Sequence, residues 1–106
     1  MDLWIELKKL QGRTLRTLGQ GKLFDVVVVL SDSIVVKPHS SGRERPVART
    51  AIEGSFRELA SHGQISRSKI EDSYMPRSSA YIAAMLAELP GVSHAKNPIL
   101  LKYPKK

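Results

Sequence analysis

The sequence predicts an α+β fold, a small antiparallel β-meander with one N-terminal helix and a C-terminal three-helix unit that ends in a strand. Three observations predict it. Val26, Val27, Val28 and Val29 form a β-branched block inside the run 24–30, which is poor for a helix and apolar on both faces, as a central strand is. Turn residues, Gly19-Gln20-Gly21 and Ser31-Asp32-Ser33, bracket that run at hairpin spacing. Beyond residue 49 the apolar residues recur at intervals of three and four, punctuated by capping residues, glycine and proline.

In chain order, Asp2 is placed to cap a first helix whose Leu3, Trp4, Leu7 and Leu10 share a face, with Gly12 as its left-handed stop. From Arg13 the period shortens to two, and a first strand around Leu15 leads through the glycine turn into the valine strand. Ile34, Val35 and Val36 continue the meander until Pro38 ends easy pairing. Residues 39–45 are a polar loop, and Pro46, Val47 and Ala48 suit a short edge strand because Pro46 has no amide to donate. Thr50 and Glu53 have the spacing of a capping box for a helix carrying Ile52, Phe56 and Leu59, stopped by Gly63. Ser66, between Ile65 and Ile70 of a hydrophobic staple, caps a short helix reaching Tyr74, which Pro76 breaks. Ser78 or Ser79 caps a third helix of this unit, with Tyr81, Ile82, Met85, Leu86 and Leu89 on one broad face, ended by Pro90 and Gly91. The stretch 98–103 reads as a last strand before a basic tail.

A chain of 106 residues, 42% hydrophobic, can bury one core and not two, so 1–106 is expected to be a single domain. Residues 1–48 hold the helix and meander, and residues 49–106 the helical unit and final strand. The longest apolar run is interrupted by Asp25 and too short to span a bilayer, and acids stand where a secretory leader carries bases, so a soluble cytoplasmic protein is expected. Absence of cysteine excludes disulfides, thiolate metal sites and thiol catalysis.

Lys and Arg number 17 against 10 Asp and Glu, a net charge of +7, which favours polyanion binding over acidic-surface functions. The densest basic stretch holds Lys37, Arg43, Arg45, Arg49 and Arg57 against Glu44 and Glu53. Arg43 and Arg45 are two residues apart, so in an extended loop they point the same way and can grip adjacent phosphates, with Ser40 and Ser41 as further donors. The competing reading is a solvated hairpin tip in which Glu44 neutralises its neighbours. Arg13, Arg16 and Lys22 have only Phe24 as a nearby aromatic, too little for a single-strand stacking platform, so duplex DNA is favoured over RNA and single strands.

Three helices with a short middle one, the breaks at Gly63 and Pro76, and the following strand give residues 50–103 an element order that resembles a winged helix-turn-helix. The resemblance implies that the third helix reads a major groove, with Arg77, Ser78 and Ser79 as its exposed candidates and Lys96 and Lys102 on a wing. Two features depart from the pattern. Met75 and Pro76 occupy the turn without a glycine, and the helix beyond Ser79 offers Glu88 but no Arg, Lys, Asn or Gln for base edges. Contact would then fall to its N-terminal turn, where Arg77 and the amides after Ser78 can hold a phosphate.

Catalysis has little material. His39, His62 and His94 neighbour serines in sequence, but a nucleophile, base and orienting acid must converge in space. Asp25 reads as an isolated acid, Gly19-Gln20-Gly21-Lys22 as a hairpin turn rather than a phosphate loop, and no metal-ligand spacing occurs, so neither enzyme activity nor a cofactor or metal is expected. The expectation is a small DNA-binding regulator of bacterial or phage type, acting through phosphate contacts from Arg43, Arg45, Arg49 and Arg77, with a homodimer able to read two half-sites. The alternative is a protein-binding adaptor docking through the Leu3, Trp4, Leu7, Leu10 helix, a helix that can equally cover its own sheet.

Overall fold

The computed structural model describes residues 2–104, and the lysines of the expected tail, Lys105 and Lys106, lie outside the described residues. Helix α1 (Leu3–Lys8) is capped as its sequence predicts: the Asp2 carboxylate accepts the Trp4 and Ile5 amides at 3.1 and 3.2 Å. Leu7 and Leu10 point inward. The Trp4 indole N–H donates to the Leu30 carbonyl at 2.8 Å, so α1 is fastened to the meander it precedes.

Strands β1 (Thr14–Arg16), β2 (Leu23–Val29), β3 (Ser33–Pro38) and β4 (Arg45–Ala48) form an antiparallel sheet in sequence order. Phe24 stands opposite both Leu15 and Pro38. Pairing therefore runs through Pro38, further than its missing amide suggests, because the His39 amide supplies the next bond, to the Leu23 carbonyl at 3.0 Å. A bulge at Val27 separates the Val26–Val36 and Val28–Val35 pairs, so Val26 and Val29 are buried while Val27 and Val28 are half-buried.

Helix α2 (Arg49–His62) begins one residue before the expected cap. Ala48 occupies the N-cap without a side-chain bond, and the Arg49 amide donates to the Asp32 carbonyl at 2.9 Å. A carbonyl of the β2–β3 turn thus takes the role expected of the Thr50 hydroxyl, and Glu53 pairs with Arg49 at 3.3 Å instead of reaching back to the backbone. Gly63, at φ 81°, ends the helix with its amide on the Leu59 carbonyl, a conformation that costs a residue with a Cβ roughly 1–2 kcal/mol.

The second half contains more strand than its sequence predicts. Strand β5 (Gln64–Ser66), helix α3 (Arg67–Ser73), helix α4 (Ser79–Leu86), strand β6 (Ser93–Ala95) and strand β7 (Leu100–Lys102) follow in order. The last strand does not join the meander. It is the centre of a separate antiparallel sheet in the order β5-β7-β6. The Ser66 hydroxyl caps α3 by accepting the Lys69 amide at 3.1 Å, between the buried staple residues Ile65 and Ile70.

Both halves feed one hydrophobic cluster, from Leu7 of α1 through Phe24, Val26, Ile34 and Val36 of the meander to Ile52 and Leu59 of α2, Ile82 and Met85 of α4, and Leu101 of β7. Each such side chain contributes about 1.5–3 kcal/mol when fully buried. Phe24 and Tyr81 meet edge to face with ring centroids 5.0 Å apart, the contact that seats α4 on the sheet. The molecule is thus a mixed α+β globule with antiparallel sheets and, among the described residues, four helices. None of them is long and apolar enough to cross a membrane.

Candidate functional site

In an antiparallel meander the first and third connections lie at one end and the second at the other. The turn 17–22 and the loop 39–44 therefore share an end of the sheet, while the β2–β3 turn shares the opposite end with α1 and the start of α2. Two contacts bring the second half of the chain to the first of these ends. The Arg45 guanidinium donates through Nη1 to the Arg77 carbonyl at 3.1 Å and lies 5.7 Å from the Tyr81 ring centroid. Ile99, after the β6–β7 turn, packs on Gly19 so closely that a Cβ there would lie 2.8 Å from its Cδ1, and its carbonyl accepts the Arg67 amide at 3.1 Å.

This end gathers Arg16, Lys22, Arg43, Arg45, Arg67 and Arg77, with Lys96 in the adjoining β6–β7 turn. The ion pairs that Lys and Arg make among the described residues, Lys9–Glu6, Arg13–Glu88 and Arg49–Glu53, involve none of them. Arg43 is exposed and its side chain has no partner among the described residues. A cleft of about 410 Å³ opens here between the loop and α4, with Ser40, Ser41, Arg43, Glu44, Arg45 and Tyr81 in its walls.

The structure does not bring all the expected residues together. Arg49 sits at the opposite end, donating to the Ser31 carbonyl at 2.9 Å, paired with Glu53 and stacked 4.5 Å from the Trp4 ring centroid. Lys37 also stands at the loop end of β3, but on the outer face of the sheet across from Asp25, the face that carries Arg16 and not the one that carries Arg45. Lys102 stands on β7 between Gln64 and Ser93, further along the strand from the Ile99–Gly19 contact. Ser78 and Ser79 are 2% and 1% exposed, so their hydroxyls are not surface donors. The Ser79 hydroxyl donates to Glu71 Oε1 at 2.5 Å and receives Arg67 Nη1 at 3.3 Å. Nor is α4 a free reading helix, since Ser79, Ile82, Ala83, Ala84, Met85 and Leu86 are buried.

Glu71 holds the α3–α4 turn together. Its other oxygen accepts the Arg77 amide at 2.9 Å, and Arg77 adopts a left-handed φ of 69°. The Ser79 hydroxyl first, and the Arg77 amide second, hold the Glu71 carboxyl below its ordinary pKa of 4.5. Arg77 is thus clamped at its amide by α3 and at its carbonyl by β4, with its exposed side chain at the surface. Sequence reasoning missed Glu71 and Tyr81 because both act across elements; neither has a local spacing signal.

On the outer sheet face Asp25 is not isolated. Its Oδ1 accepts the Thr14 hydroxyl at 2.6 Å and lies 2.9 Å from His39 Nε2. The Thr14 bond, then the His39 bond, keep the Asp25 carboxyl below its ordinary 3.8. Thr14 donates to the acid and not to the imidazole, so the order of a nucleophile, base and orienting acid is not met. Among the described residues no three His, Asp or Glu side chains cluster with metal-binding geometry. Comparison with protein-family models, with curated proteins and with solved structures finds no match to this chain.

Proposed function

We propose that this protein binds nucleic acid, duplex DNA in preference to RNA, through phosphate contacts at the end where the β1–β2 turn, the β3–β4 loop and the α3–α4 turn meet. The observation that carries the reading is the Arg45–Arg77 hydrogen bond, which joins basic segments 32 positions apart into one surface whose Lys and Arg side chains enter none of the ion pairs among the described residues. We further read residues 49–103 as a winged helix-turn-helix unit, with α2, α3 and α4 as its helices and the β6–β7 hairpin as its wing. The helix order, the short middle helix and the three-stranded antiparallel sheet support this.

The mode of contact differs from the one the resemblance implies, because α4 packs on the meander through Tyr81 and Phe24. Contact comes from Arg77 before α4, from Arg43 and Arg45 of the loop, and from Lys96 on the wing. In this reading the protein is a cytoplasmic regulator, and a homodimer would place two such ends on two half-sites. Anisotropy of a labelled short duplex, measured as salt rises, tests it. If about four to six phosphates are neutralised, the logarithmic slope is near 0.9 per phosphate, and Arg43→Ala with Arg45→Ala flattens it. No binding at low salt would leave the second reading, a protein-binding adaptor, which the exposure of Ile5 (59%) on α1 and of Leu30 (45%), whose carbonyl accepts the Trp4 indole, favours. In that case Leu30→Glu abolishes a protein complex and leaves the fold intact.

A further inference from the structure

We propose that the cleft between the β3–β4 loop and α4 is a subsite for one unpaired nucleotide, a strand end or a base swung out of the duplex. The inference rests on the nucleic-acid reading above and names what that surface grips. The lining divides into two chemistries. On one side the exposed Arg43 guanidinium has no partner among the described residues, and the Ser41 hydroxyl accepts the Arg43 amide at 3.3 Å, which leaves its own proton to donate to an anion. On the other side the Arg45 guanidinium, seated over the Tyr81 ring, presents its outer π surface, with Pro38 beside it. Arg45 is already fixed by the Arg77 carbonyl, so little side-chain freedom is lost when a ligand stacks there.

Size and charge narrow the ligand. About 410 Å³ is more than a lone phosphate needs and falls in the range of about 300–1,000 Å³ typical of small-molecule sites. A paired duplex buries its base faces and offers this cleft only its sugar–phosphate edge, so it cannot fill both halves. An unpaired nucleotide can, with its phosphate on Arg43 and Ser41 and its base against the guanidinium that Tyr81 backs, that of Arg45. Glu44, also in the wall, repels a second phosphate and accepts a hydrogen bond from an exocyclic amine, which favours cytosine, adenine or guanine over thymine.

The test is an amide-resolved NMR titration of the full chain with cytidine monophosphate, inorganic phosphate and cytidine. Cytidine monophosphate is expected to shift residues 40–45 and Tyr81 and to bind about tenfold more tightly than phosphate, which shifts only the loop. Arg45→Lys keeps the charge and removes that advantage; Ser41→Ala, at an exposed loop position, weakens both ligands. Equal affinity for nucleotide and phosphate, or shifts confined to other surfaces, overturns the subsite. In parallel, a duplex with a one-nucleotide overhang should outcompete its blunt counterpart. Equal binding of the two overturns the subsite and leaves the phosphate reading standing, whereas failure to bind either duplex overturns the phosphate reading itself.

Discussion

The Glu71 carboxylate receives the Arg77 amide at 2.9 Å and so holds a non-glycine residue at φ 69°. The left-handed conformation costs a residue with a Cβ roughly 1–2 kcal/mol, and such strain persists where neighbouring groups over-determine it. Here the Arg45 guanidinium fixes the other side of the same residue. The two bonds make Arg77 a presented side chain and not merely a turn residue.

Replacing it separates stability from function. Arg77→Gly relieves the strain and should stabilise the fold by about 0.5–1 kcal/mol, after the entropy that glycine adds to the unfolded chain. Duplex affinity should fall in the same variant. Urea denaturation and anisotropy on one preparation check both.

Acid should weaken this junction. The folded pKa of Glu71 lies below its unfolded value, so its contribution is present above about 4.5 and is lost as pH falls through the lowered folded value. Asp25 behaves alike, beginning from 3.8. The urea midpoint of the wild type should therefore drop as pH falls below 4.5. Glu71→Gln should start lower at neutral pH and show a shallower drop, and a parallel decline in the two proteins would remove Glu71 from the linkage.

Gly54 sets two effects in opposition. Alanine is favoured over glycine within a helix by about 1 kcal/mol, yet a Cβ at this position would stand 2.7 Å from the Tyr74 ring. Tyr74 is held by the bond from its hydroxyl to Glu58 at 2.7 Å, the main cause of its raised pKa. Overpacking of this kind costs about 1–3 kcal/mol. Gly54→Ala should thus destabilise by roughly 1 kcal/mol net, read by thermal melting. Tyr74→Phe should show the alkaline end: the Tyr74 contribution is present below pH 10.0 and lost as pH rises through its raised folded value.

Ile82 of α4 and Trp4 of α1 belong to distant segments but to one packed cluster. Ile82→Val should cost about 1 kcal/mol. Trp4 fluorescence and far-ultraviolet circular dichroism should shift together, whereas separate transitions would indicate two independent halves.

Much of the fold is legible in local chemistry. Asp2 with the Trp4 and Ile5 amides, Ser66 between Ile65 and Ile70, and the valine block each state their structure within a few residues. Strands β5 and β6 are not legible, because Gln64-Ile65-Ser66 and Ser93-His94-Ala95 are too short to show a period and become strands only by pairing with β7. The start of α2 is obscured for a similar reason: a distant carbonyl, that of Asp32, holds Arg49 where a local cap is expected. The candidate site divides along the same line. Arg43 and Arg45 can be named from spacing, but Arg49 starts α2 at the opposite end of the sheet, against Trp4 and Glu53, and Ser79 is buried with its hydroxyl on Glu71. The Glu53 pairing has a local signature in its spacing of four from Arg49, whereas the Trp4 and Glu71 contacts have none.

Salt-dependent duplex binding by four proteins distinguishes a shared phosphate grip from a diffuse surplus of charge. These are the wild type, R43A/R45A, Arg77→Ala, and Lys8→Ala, which removes the same unit charge from α1 at the far end. The expected result is a logarithmic slope that falls by about 0.9 for each phosphate left unneutralised in R43A/R45A and in Arg77→Ala, and that stays unchanged in Lys8→Ala. Equal weakening in Lys8→Ala and Arg77→Ala, or no duplex binding by the wild type at low salt, would contradict a phosphate-binding end built around Arg45 and Arg77.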